Sequence, residues 1–269
     1  MAPARSGRDD VPAGAAPAVV RATAVLDALA ASPRGFLALS ELAREVGVAK
    51  SSTLQICTAL EAGGLIRRDE AGYWLGRRTV ELGGAYLSRL DQVTEFYDAC
   101  ARSSLMAGET LRLSVLAGID TLCLARYEGH PPVRYTSGIG DRTPASATAQ
   151  GKALLAKLDD AEVRRLYHGI PDLPQLTARS RATLPELLAD LADARARGFA
   201  VDEEESAPHV VGLAVAVPTR GLHAPVLALS VTLLDAEASA QRRDAMVTEL
   251  GHLSRRLGNP MQPSTVTGS

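Results

Sequence analysis

The sequence predicts an α+β chain of two domains, on three observations. Its 269 residues exceed one small module and suit two domains of ordinary size. Residues 18 to 75 show helical spacing that ends in a short hairpin, whereas after Gly108 strand-like runs alternate with helices. Apolar residues at 46% against 22% charged give enough material for a core, and aromatics at 4% leave its filling to Ala, Leu and Val. No apolar run reaches a membrane span; the longest, Val210 to Val217, has strand length. Cys57, Cys100 and Cys123 are odd in number and widely spaced, which argues against a disulfide framework or a zinc cage. A soluble cytoplasmic protein without cofactor, metal or membrane contact is expected.

The start of the chain to residue 16 mixes Ala, Pro and Gly with two Arg and two Asp and lacks an apolar signal segment, so it reads as a loose tail. Ala18 to Ala31 places Val19, Ala22, Val25, Leu26 and Leu29 on one helix face, and Ser32-Pro33-Arg34-Gly35 ends it. Ser40 reads as the N-cap of a second helix that Gly47 closes. A third helix, Ala49 to Ala62, turns Leu54, Cys57 and Leu60 inward and stops at Gly63-Gly64. Leu65 to Arg68 and Tyr73 to Leu75 then flank the turn Asp69-Glu70-Ala71-Gly72 as a hairpin. Residues 77 to 106 read as helix in two pieces around Asp91.

Beyond Gly108, Thr110 to Leu116 and Thr121 to Tyr127 form a hairpin around Ala117-Gly118-Ile119-Asp120, and Val133 to Thr136 is a third strand candidate. Helices are expected at Ala147 to Leu158, Asp160 to His168, Leu184 to Arg197 and Ser239 to Leu257. Strands are expected at Phe199 to Asp202, Val211 to Val217 and Leu227 to Leu233. The resulting partition is a tail at 1–16, a winged helix-turn-helix at 17–78, a connecting helix at 79–92, a sheet domain at 93–258 and a tail at 259–269.

The strongest local signal lies between Leu39 and Leu60. A helix-turn-helix needs a small residue where the helices cross, a turn residue that tolerates left-handed backbone, and apolar positions that pin both helices. Ala43, Gly47 and the set Leu42, Val46, Val48, Thr53 and Ile56 meet those needs, with Thr53 the least typical. With the hairpin next in order, the segment is a winged helix. Its third helix would offer Lys50, Ser51, Ser52 and Gln55 to phosphates and base edges in the major groove, while Arg67 and Arg68 on the wing would meet backbone or minor groove. Taken singly, each of these could equally be a solvated surface residue. The formal charge of the chain is −2, but residues 17–78 carry eight basic against six acidic side chains.

The chain resembles the IclR family of bacterial transcriptional regulators from Val19 to Leu257. The resemblance runs through Leu39-Ser40-Glu41-Leu42-Ala43, Lys50-Ser51-Ser52-Thr53-Leu54, Leu60-Glu61-Ala62-Gly63-Gly64-Leu65-Ile66 and Tyr73-Trp74-Leu75-Gly76. It continues in Gly138-Ile139-Gly140, Pro144, Gly151-Lys152-Ala153-Leu154-Leu155-Ala156, Arg197-Gly198-Phe199-Ala200-Val201-Asp202-Glu203-Glu204-Glu205 and Ala216-Val217-Pro218. It implies a GAF-like domain that binds a small effector, a homodimer or dimer of dimers on double-stranded operator DNA, and control of a catabolic operon. Gln55 stands where many members have Arg, and Gln pairs with adenine where Arg prefers guanine or phosphate. Ala49 replaces a Pro that often opens that helix.

By position, the resemblance places the effector cup at Ala149, Gln150, Asp202, Gly212, Ser230 and Thr232. Helix-start amides and a few hydroxyls in an otherwise apolar cup suit a carboxylate. Ser230 and Thr232 are equally readable as strand residues pointing into a sheet. Many members have Cys at Gly212 and Gly at His209. The missing side chain at Gly212 and a histidine able to donate to an anion lean towards a larger, aromatic acid; His209 beside Pro208 also reads as a solvent-facing loop residue. Glu203-Glu204-Glu205 reads as a solvated loop in preference to a metal site.

An enzyme is the rival class, yet no Gly-x-Ser-x-Gly elbow, Walker loop or His-Glu-x-x-His occurs, and Gly138-Ile139-Gly140 lacks the setting of a dinucleotide site. A winged helix used only for protein contact is the other rival, separable by the salt dependence of DNA binding.

Overall fold

The computed structural model describes residues 16–129, 138–221 and 224–259, in two units divided between Arg89 and Leu90. The first unit runs α1 (Pro17–Ala31), β1 (Phe36–Leu37), α2 (Leu39–Val46), α3 (Lys50–Ala62), β2 (Ile66–Arg68), β3 (Tyr73–Leu75) and α4 (Arg78–Leu87). Val25 and Leu29 of α1, Leu42 of α2 and Cys57 and Leu60 of α3 close on one another over Ile66 and Tyr73. Gly47 takes the left-handed conformation (φ 68°) that the turn between α2 and α3 requires. The small sheet is antiparallel in the order β1-β3-β2, with Trp74 opposite both Phe36 and Arg67.

Three local expectations are corrected here. Val19 is 62% exposed, because the first turn of α1 extends beyond the core. Leu54 is exposed while Thr53 is fully buried, since the buried stripe runs 53, 57, 60 at helical spacing and Leu54 lies one position off it. Thr53 tolerates burial because its hydroxyl donates to the Ala49 carbonyl (3.1 Å). Ser40 is inside α2, whose start is fixed instead by the Glu41 carboxylate accepting the Ala38 amide (2.7 Å).

The second unit contains α5 (Asp91–Arg102), β4 (Thr110–Ala117), β5 (Asp120–Tyr127), β6 (Arg142–Pro144), a short 3-10 turn (Ala145–Ala147), α6 (Ala149–Leu155), α7 (Asp160–Leu166), α8 (Leu184–Arg197), β7 (Ala200–Glu203), β8 (Val210–Val217), β9 (Leu227–Leu234) and α9 (Ala240–Gly258). Its six strands form one antiparallel sheet in the order β6-β5-β4-β9-β8-β7. The third strand expected at Val133 to Thr136 lies outside the described residues, as do the tails apart from Ala16 and Asn259. The helix expected over Ala147 to Leu158 is shorter, because Thr148 caps it at one end and the chain leaves it after Leu155.

Strand alternation sorts the second sheet into two faces. α5 and α9 cover one of them. On the other, Ala200, Ala214 and Ala228 make a floor of small side chains on which Ala149, Ala153 and Leu154 of α6 rest. The close fit also requires Gly151, where a Cβ would lie 2.2 Å from the Ala145 carbonyl oxygen. α8 packs its Leu187, Leu188 and Leu191 into a further cluster with Leu155, Val163 and Tyr167.

Candidate functional site

In the first unit, Lys50, Ser51 and Gln55 are exposed and Ser52 is half-buried on α3, with Ser51 and Gln55 one turn apart. No side chain caps α3 at Ala49, so its N-terminal amides face outward with the positive end of the helix dipole. Arg67 and Arg68 are exposed on β2. The Arg67 guanidinium stacks 4.7 Å from the Trp74 ring centroid and pairs with Asp69 at 3.1 Å, which fixes its direction. Arg68 lies over Tyr73 at 5.4 Å. The wing turn is closed by Asp69, whose carboxylate accepts the Ala71 (2.9 Å) and Gly72 (3.2 Å) amides.

In the second unit, cross-strand pairing lines up Asp202, Gly212, Thr232 and Thr110 in one row. Ala200, Ala214, Ser230 and Arg112 form the next. Cross-strand partners share a face, so both rows look towards α6. There they bound a cavity of about 80 Å³. Gln150, Asp202, Gly212 and Thr232 line it with Arg112, and Thr143, Thr148, Leu176, Ser206 and Val210 complete the wall. Ala149 is buried against Gly212, and Ser230 is buried one row away, its hydroxyl without a hydrogen-bond partner among the described residues. Four of the six expected cup residues therefore line one cavity, and the other two pack beside it.

Arg112 is the residue that sequence reasoning missed. It is buried in the middle of β4, and its guanidinium donates to the Thr232 hydroxyl. A charged residue at the centre of the alternating run Thr110-Leu111-Arg112-Leu113-Ser114 was the available signal, since a strand on a core sheet seldom carries one without a use. Burial lowers the Arg112 pKa from its ordinary value. Asp202 faces the same cavity. Its carboxylate accepts the Glu205 (2.6 Å) and Ser206 (3.1 Å) amides, yet burial outweighs these bonds and pushes its pKa up to about 6.

One feature expected of the cup is corrected. A Cβ on Gly212 would sit 3.1 Å from the Ala149 Cβ and 3.2 Å from the Asp202 Cβ, so the missing side chain accommodates α6 and Asp202 and adds no room. His209 is the solvent-facing loop residue that its place beside Pro208 allows: it is exposed, with φ 63°, and is not among the lining residues. The Gly151 amide, in the first turn of α6, donates to the Thr148 hydroxyl at 3.3 Å and is not offered to a ligand. Nor is the acidic run a solvated loop throughout. Glu203 pairs with Arg243, Glu204 accepts the His209 amide (2.9 Å), and Glu205 is buried against Lys152 (2.5 Å). Among the described residues no group of three His, Cys, Asp or Glu could hold a metal ion. The three cysteines are buried and free, and no described helix is long and apolar enough to cross a membrane.

Residues 18–70 match the IclR helix-turn-helix domain, and residues 84–258 match the bacterial transcriptional regulator IclR C-terminal domain. The chain belongs to the IclR family. As an IclR-family protein it is a DNA-binding transcriptional regulator. It is 30% identical over 200 residues to the HTH-type transcriptional repressor AllR of Escherichia coli K12, covering 74% of this chain and 72% of that one. Among solved structures it is similar to the Agobacterium tumefaciens repressor BlcR, at 30% identity and TM-score 0.57 over 91% of this chain and 99% of that one. An IclR homologue complexed with 4-hydroxybenzoate, from Microbacterium hydrocarbonoxydans, shares the fold at 22% identity and TM-score 0.74, over 90% of this chain and 97% of that one.

Proposed function

We propose that this IclR-family regulator binds operator DNA through α3 and the wing, and that an organic acid held between the second sheet and α6 sets its affinity for that DNA. The observation that carries the effector half is Arg112, a buried cation on the wall of a polar cavity. A guanidinium donates paired, charge-assisted hydrogen bonds to a carboxylate, and Gln150, Asp202 and Thr232 stand on the same wall to fix the rest of a small polar ligand. Lys50, Ser51, Ser52 and Gln55 are the groove-facing residues of this reading, with Arg67 and Arg68 on backbone. The repressor names of the relatives support negative control, and on this reading it is exerted on a catabolic operon in the cytoplasm.

For the acid to act, it must bind the DNA-competent and DNA-incompetent arrangements with different affinity. A homodimer or dimer of dimers supplies two recognition helices for a palindromic operator. Val80 (76% exposed), Leu82 (51%) and Tyr86 (49%) on α4 give that assembly apolar surface to cover.

The test is a gel-shift titration against the chain's own upstream intergenic DNA, with and without a panel of carboxylic acids. Specific binding that one acid changes is the expected result, and Asp202→Ala should remove that response while DNA binding persists. An unchanged response in Asp202→Ala would displace the effector from this cavity. Absence of specific binding under every condition would overturn the DNA half.

A further inference from the structure

Resting on the reading of this cavity as the effector site, we propose that its ligand is a compact acid with a hydrogen-bond donor on the carbon next to the carboxylate. Arg112 takes the carboxylate and Asp202 accepts from the donor. Three observations point there.

The first is size. At about 80 Å³ the cavity is roughly half the 150 Å³ void that accepts benzene in a protein core, so a benzene ring does not fit without moving its walls. The second is chemistry. Gln150, Thr143, Thr148, Ser206 and Thr232 put amide and hydroxyl groups around the space, whereas an aromatic acid needs an apolar slot for its ring. The third is placement. Asp202 and Thr232 occupy the same cross-strand row with only Gly212 between them, and Arg112 holds the Thr232 hydroxyl. With strands spaced about 4.8 Å apart, the acceptor and the cation are held on opposite sides of the strand that carries Gly212, and both line the cavity. A ligand in the cavity between them meets a cation at one end and a carboxylate at the other. A simple fatty acid leaves Asp202 facing a methyl group, and a buried polar group left unmatched costs affinity.

A hydroxyl and an ammonium both supply the donor, so the two sources are separated by experiment. The full-length protein is titrated calorimetrically with lactate, alanine, propionate, benzoate and lactamide. Lactate or alanine should bind at least about tenfold more tightly than propionate, the difference one matched hydrogen bond makes. Whichever of the two wins identifies the donor. Lactamide, which keeps the hydroxyl and loses the charge, should not bind at millimolar concentration. Asp202→Asn should erase most of the advantage over propionate, and Arg112→Gln should weaken every acid together. The wild-type ranking decides the matter even if Arg112→Gln fails to fold. Benzoate binding more tightly than lactate and alanine, with Arg112→Gln weakening it, would overturn the compact-ligand class and leave the acid-effector reading intact. Binding of lactamide equal to that of lactate, or of none of the acids, would overturn both.

Discussion

Asp202 accepts two amide hydrogen bonds, and burial still pushes its pKa from 3.8 up to about 6. Between those values the folded protein keeps a proton that the unfolded chain has released, so stability falls as pH rises through this window. Above pH 6 both states are ionised and the full cost remains, about 3 kcal/mol for a shift of this size. Asn at this position keeps an oxygen for the Glu205 and Ser206 amides and carries no charge. Asp202→Asn should therefore be more stable than the wild type at pH 8 by about 2–3 kcal/mol, and the gap should close towards pH 4. Urea unfolding followed by far-ultraviolet circular dichroism at a series of pH values checks this. Neighbouring charges, including Arg112, Lys152 and Glu205, are present in both proteins, and their effect on the Asp202 carboxylate is already contained in its shift. A gap that does not vary with pH would mean that Asp202 is not the titrating group. A residue that costs stability at neutral pH fits a binding role better than a packing role. Its position in the cup was legible only through the family motif around it. The cause of its altered acidity, burial beneath α6, required the fold.

At the scale of elements, α6 is tied down by one side chain. Lys152 is 2% exposed, and its ammonium bridges Asp190 of α8 (2.6 Å) and Glu205 of the β7–β8 loop (2.5 Å). That loop also supplies Ser206 to the cavity wall and follows β7, which carries Asp202, so the lysine joins the wall to two helices. Lys152→Met leaves Asp190 with Arg181 (2.8 Å) but strips the buried Glu205 of its cation, at a cost of about 3–5 kcal/mol. Adding Glu205→Gln should recover much of that loss, because the remaining uncompensated charge is then gone. Trp74, the only tryptophan, lies in the first unit, so its fluorescence transition should stay in place while the circular dichroism transition of the second unit moves. A shift of the tryptophan signal by the same amount would contradict a local tie. The partners of Lys152 lie 38 and 53 residues away along the chain, and no local pattern announces them. Local signals did suffice for α8, which runs over the expected Leu184 to Arg197 because Thr183, Glu186 and Gly198 mark both its ends. They failed at β1, whose two residues are too few for alternation to register, and at β6, which is held only by its pairing with β5.

Over the whole molecule the formal charge is −2, and the excess of basic groups sits in residues 17–78. DNA binding by such a chain depends on local phosphate contacts and not on net attraction, which sets how it should respond to salt. The logarithm of operator affinity should fall linearly with the logarithm of salt concentration, and Arg67→Ala and Arg68→Ala should each make that slope shallower by about one, the share of a single neutralised phosphate. Gln55→Ala should leave the slope alone and alter the preferred base. The effector should behave differently from all three. A small acid enclosed in the second unit adds at most about one negative charge, and at physiological ionic strength a charge is screened within about 8 Å. If it acts by shifting the population of DNA-competent protein, it scales the affinity by a constant factor and releases no additional counterions. Binding isotherms measured by fluorescence anisotropy over a range of salt, with and without saturating acid, should then give two parallel lines. Converging lines would mean that the acid strips phosphates from the interface one at a time while the protein stays bound. Parallel lines would instead locate control in an equilibrium between whole-protein arrangements, and operator DNA would have to change affinity for the acid by the same factor.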